Sequence, residues 1–83
     1  MTEFLSLEIN KLANRKFQSS EKLIDYYNYI KKIAAKIQIG EEDVLYYFLN
    51  GLNATMKAHI ICQAPANIDE AFKIGKKLEE IKI

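Results

Sequence analysis

Cysteine is scarce in this chain. Cys62 stands alone, so no intrachain disulfide can form, and a reducing compartment is the expected setting. Charge of one sign is missing as well: twelve Lys and Arg face eleven Asp and Glu, for a formal net charge of +1. Dedicated nucleic-acid binders carry a basic field, because phosphate contacts supply most of their non-specific affinity. The balance here argues against a dedicated DNA or RNA binder. No apolar run is long enough to cross a bilayer, and the N-terminus lacks a basic segment followed by an apolar core. A cytoplasmic or nuclear setting follows by elimination, with cytoplasmic the expected location and no membrane partner. Strand signals are also lacking. There is no alternating run, and Asn50-Gly51 lies at a helix end rather than in a hairpin. Glycine-rich phosphate loops and a serine elbow are absent too, so catalysis on this chain is not expected.

What is present is apolar and aromatic. Hydrophobic residues make up 49% of the 83, with five Tyr and four Phe among them. That suffices for a small core, and one domain over residues 1–83 is the expectation. A domain of this size is marginal by itself, and oligomerisation is a common remedy.

Helical spacing dominates the pattern. The longest stripe runs from Ser19 to Ile39, with Leu23, Tyr27, Ile30, Ala34 and Ile37 in line and Tyr26 and Ile33 on a flank. This predicts the central helix of a bundle, capped by Ser19 or Ser20 and closed by Gly40 in a left-handed conformation. Before it, Thr2 to Asn14 carries Leu5, Ile9 and Leu12 at helical spacing, with Phe4 beside them. Thr2 suits its N-cap and Glu3 its first turn. Arg15 to Gln18 reads as a connector with Phe17 as an apolar plug.

After Gly40, the acidic run Glu41-Glu42-Asp43 opens a third helix, where negative charge suits the dipole. Val44, Phe48 and Leu52 face inward, and Gly51 stops it. Asn53 caps a fourth helix to about Gln63, with Met56, Ile60 and Ile61 expected inside. Pro65 breaks the chain. Asn67 and Glu70 have capping-box spacing at the start of a fifth helix. That helix places Ile68, Ala71, Phe72, Gly75 and Leu78 on one face, and Gly75 there suggests close approach of a neighbour. The fold class is therefore all-α, a compact bundle of about five short helices.

Few residues carry site chemistry. His59 and Cys62 lie three apart on one helix, but two ligands are too few for zinc, and no third group orients them as a nucleophile pair. No metal, cofactor or small-molecule substrate is expected. Lys31, Lys32 and Lys36 beside Tyr29, together with Lys73, Lys76 and Lys77, are the basic concentrations; solvated helix flanks are the simpler reading. The third helix is more telling. Tyr46 and Asn50 project opposite its inward stripe, while Tyr47 and Leu49 sit on the shoulders. Exposed aromatics of this kind are enriched in homodimer contacts. The alternative is that Tyr47 and Leu49 widen a buried face and leave Tyr46 alone in water.

Three stretches carry a family resemblance. Gln18-x-x-Glu21-x-Leu23-x-Asp25-Tyr26 resembles the major homology region of Gag capsid proteins. Phe48-Leu49-Asn50-Gly51-Leu52, with Asn53 and Met56 after it, is similar to the Phe-Leu-x-Gly-Leu stretch of gypsy-type LTR retrotransposon Gag. Pro65, Ile68, Glu70-Ala71 and Glu79 fall where that family has its final Pro-x-Thr-Leu-x-Glu-Ala and a later glutamate. The match covers nearly the whole chain and extends to the C-lobe of domesticated Arc and, more distantly, to SCAN domains. Departures are Lys22 in place of a serine, Ile68 in place of threonine-leucine and Gly75 in place of alanine.

The resemblance implies a retroviral capsid C-terminal-domain-like fold and a structural, self-associating role in a capsid shell. It implies a homodimer contact on the third helix, with Asp43, Tyr46, Tyr47, Leu49 and Asn50 as the facing residues. It also implies a bracing network of Gln18, Glu21 and Tyr26 at the start of the long helix. The N-lobe and the zinc knuckle of a whole Gag are not in these residues, so RNA packaging is expected only through other regions. A SCAN-like dimerisation or adaptor module and a helical RNA-binding domain using Lys31, Lys32 and Lys36 are the alternatives.

Overall fold

Apolar residues recurring every three or four positions make each segment a helix, and the caps decide where each one starts. The computed structural model describes residues 2–18 and 20–81. They form five helices, α1 (Thr2–Asn14), α2 (Leu23–Ile37), α3 (Glu41–Asn50), α4 (Ala54–Cys62) and α5 (Ile68–Glu80), with no strand among the described residues. The assembly is compact and all-α, measuring 43 × 27 × 18 Å. Among the described residues no helix is long and apolar enough to cross a membrane.

The central post is α2, which packs against α1, α3 and α5. Its buried side chains are Leu23, Tyr26, Ile30, Ile33 and Ala34. The expected stripe is therefore rolled: the flank residues Tyr26 and Ile33 are buried with Leu23, Ile30 and Ala34, and Tyr27 and Ile37 are only half-buried. Neighbours on three sides bury a wider face than one stripe. Tyr26 sits between Phe17 and Phe48, with ring centroids 5.6 and 5.3 Å away. Each large apolar side chain buried in this way contributes about 1.5–3 kcal/mol.

Both ends of α2 differ from the sequence reading. The helix begins at Leu23, and Lys22 in the N-cap position offers no side-chain acceptor. Glu79 of α5 supplies one instead, its Oε2 accepting from the Leu23 amide at 2.8 Å. The left-handed residue at the other end is Gln38 (φ 53°), not Gly40, which is extended and N-caps α3. The side chains of Thr2, Glu3, Phe4 and Leu5, like Ser19 and Ile83, lie outside the described residues.

The first helix is also rolled. Leu12 and Glu8 face inward, whereas Ile9 and Leu7 are exposed. Glu8 accepts from Lys11 at 3.2 Å. On α4 only Ile60 is buried, and Ile61 points outward at 49% exposure. Asn53 caps α4 by accepting from the Met56 amide, and Asn67 caps α5 by accepting from the Glu70 amide. Gly75 sits where a Cβ would come within 2.8 Å of Leu23 and 3.3 Å of Ile60. The close approach expected there is present, and α2, α4 and α5 meet at it.

Candidate functional site

The site residues expected from the sequence fall in two places, both of which involve α3. The first is the corner where the α1–α2 connector meets the start of α2. Arg15 grips Glu21 with two hydrogen bonds, Nη1 to Oε1 at 2.9 Å and Nη2 to Oε2 at 2.7 Å. Oε1 also accepts from the Gln18 amide at 2.9 Å, and the Glu21 amide returns a bond to the Gln18 carbonyl at 3.1 Å. Gln18 thus takes part through its main chain, while its side-chain amide turns to the Lys16 carbonyl. The hydrogen bonds from Arg15 hold the Glu21 carboxyl below its ordinary range, and those to Glu21 push the Arg15 guanidinium up.

The guanidinium lies over Tyr26 and Tyr29, 5.3 and 4.8 Å from their ring centroids. Tyr29 is thus a half-buried platform for Arg15, not the free outward aromatic expected beside the lysines. The Tyr26 hydroxyl donates to the Phe48 carbonyl at 2.8 Å, with the Tyr47 carbonyl at 3.3 Å. Those carbonyls belong to the last turn of α3, whose acceptors have no partner within the helix. Tyr26 therefore caps α3 from below, and burial pushes its phenol well up from its ordinary pKa. Gly51 closes the corner. Its carbonyl accepts from the Phe17 amide at 2.8 Å, and a Cβ there would lie 2.0 Å from the Tyr26 hydroxyl and 2.5 Å from the Arg15 carbonyl. Its φ of −88° shows that space, not a left-handed backbone, is what this position demands.

Arg15 and the packing role of Gly51 are the parts of this corner that sequence reasoning missed. An arginine six positions before a glutamate gives no helical-face signal. A glycine after a helix reads first as a stop.

The second place is the outer face of α3. Val44 and Phe48 are buried beneath it. Asp43 is exposed and Asn50 half-buried on the opposite side, with Tyr46 between them at 62% exposure. Tyr47 and Leu49 are half-buried and packed on the edge of the core. The Tyr46 and Tyr47 rings meet nearly edge to face, with centroids 5.5 Å apart at 72°. The half-buried Tyr47 ring flanks Tyr46, and of the five residues Tyr46 alone is a large aromatic turned to solvent.

The remaining candidates separate. Lys31 is engaged, donating to the Tyr27 hydroxyl at 3.2 Å and lying 3.6 Å from Asp69. Tyr27 in turn donates to Asp69, and that bond holds the Asp69 carboxyl below its ordinary range. A groove of about 390 Å³ lies beside this triad, between α2, α3 and α5, and none of the five α3 residues lines it. His59 and Cys62 are both exposed on α4. Comparisons with protein-family models, with curated proteins and with solved structures found no match.

Proposed function

We propose that this chain is a structural self-association domain of the Gag capsid C-lobe type, pairing with its own copy through the outer face of α3. The observation that carries the proposal is Tyr46, a large aromatic kept in water beside the half-buried Tyr47 ring. A tyrosine buries a large apolar surface for few rotatable bonds, and a two-fold contact repeats it on both partners. The corner beneath supports this reading, because Tyr26 and Gly51 fix the C-terminal end of α3 against the rest of the molecule. The order of five helices and the three Gag-like stretches support the family assignment.

Such a contact belongs at the small end of the size range, on the order of 1,000 Å² in total, with affinity of about 1 μM. Weak contacts keep shell assembly correctable. A SCAN-like adaptor would use the same pairing, and the neighbouring domains of the full gene product separate it from a capsid protein. The RNA-binding alternative is less well supported, since Asp69 engages Lys31 and Arg15 covers Tyr29. Tyr46→Ala is the test. It leaves Tyr47 in its half-buried place, so loss of pairing with an unchanged helical spectrum reports on contact alone.

A further inference from the structure

The most apolar of the five helices is α4, yet only Ile60 of it is buried. Its main packing partner is α5. An apolar helix of this kind is normally covered. Its outward face carries Ala54, Ala58 and Cys62 at four-residue spacing, with Ile61 beside them. His59 and Cys62 share one shallow concavity of about 200 Å³, whose other walls are Thr55 and Ala58. No charged side chain lines it.

We propose that His59 and Cys62 are half of a zinc site that a second copy of the chain completes. Residues three apart on a helix share a face, and Glu-x-x-His pairs chelate metals at this spacing in helical bundles. One chain alone falls short. Among its described residues no group of three or more His, Cys, Asp and Glu side chains is placed to hold a metal. Two copies facing across a two-fold axis supply two thiolates and two imidazoles, the tetrahedral Cys2His2 set that zinc takes. Imidazole and thiolate without carboxylates select against magnesium and calcium. Thr55 and Ala58 are small enough to let a second helix approach, and the same approach covers Ala54, Ala58 and Ile61. Each cysteine binds as thiolate, so one zinc ion releases two protons on entering the site. The site uses none of the α3 residues of the contact proposed above.

The test titrates zinc, and separately cobalt, into the 83-residue chain kept reduced by a non-thiol reductant, for the wild type and for Tyr46→Ala. Sedimentation and visible absorption are read against a chelated control. The expected result in Tyr46→Ala is a doubling of mass at one metal per two chains, with a thiolate-to-cobalt charge-transfer band. The wild type should take up metal at the same ratio. In the Tyr46→Ala background, Cys62→Ser and His59→Ala should each abolish both signals while keeping the helical spectrum, because both side chains are exposed. His59→Cys should restore association with a stronger thiolate band. Binding at one metal per chain, a cobalt spectrum without thiolate character, or metal-driven association that survives either loss variant would overturn the proposal. So would association of Tyr46→Ala that persists in the chelated control.

Discussion

The corner at Arg15, Glu21, Tyr26 and Gly51 and the outer face of α3 are joined by one helix, yet they are built on opposite principles. In the corner every polar group named has a partner and there is no room for one more carbon. On the outer face the largest side chain, Tyr46, packs only edge-on against Tyr47. A domain this small gains its stability from the first kind of region. It has nothing to gain by itself from the second, since an exposed tyrosine adds little to folding. On the proposed reading the corner serves the fold and the outer face serves pairing.

That division is open to direct tests. The largest effect should come from Gly51→Ala. The added carbon collides with the Tyr26 hydroxyl and with the Arg15 carbonyl, which is main chain and cannot swing away. Overpacking of this sort costs about 3 kcal/mol, and urea denaturation should show the domain largely unfolded. Next is Glu79→Ala, which removes the acceptor for the Leu23 amide at the start of α2. The loss should be about 1 kcal/mol, as for other N-cap deletions, and should appear as a lower midpoint with an unchanged denaturant slope.

Smaller again is Glu21→Gln, and its signature is pH. The folded-state pKa of Glu21 is depressed by Arg15. Its contribution is therefore complete above the ordinary glutamate pKa and is lost as pH falls through the lowered folded value. The wild type should exceed the variant by about 0.5 kcal/mol near neutrality, and the gap should close on acidification. A gap that stays constant through that range would remove the ion pair from the account. Smallest for stability is Tyr46→Ala, for which the melting curve should be unchanged within error at concentrations well below those at which the wild type pairs.

Much of this architecture is legible in the residues. Spacing places all five helices, and Asn53 and Asn67 announce their caps because a capping side chain acts within three residues of itself. Gly75 is legible as a close approach because a poor helix former on an apolar face needs a packing reason. The roll of α1 and α2 is not legible, since it depends on how many neighbours surround a helix rather than on its own periodicity. The cap on α2 is hidden because Glu79 lies 56 residues away in sequence. The left-handed Gln38 is unexpected with Gly40 two positions on; the chain turns before it reaches the glycine. On α3 the exposure of Tyr46 follows directly from its angle to Val44 and Phe48. Whether Tyr47 faces water or core is decided by three-dimensional packing, and it sits between the two.

The most direct measurement is sedimentation equilibrium of the full 83-residue chain with chelator present, from about 1 μM to about 1 mM, alongside Tyr46→Ala. A reversible monomer–dimer equilibrium is expected for the wild type and a folded monomer throughout for the variant. A wild type that stays monomeric at the highest concentration, or a variant that pairs equally well, would contradict the proposed pairing.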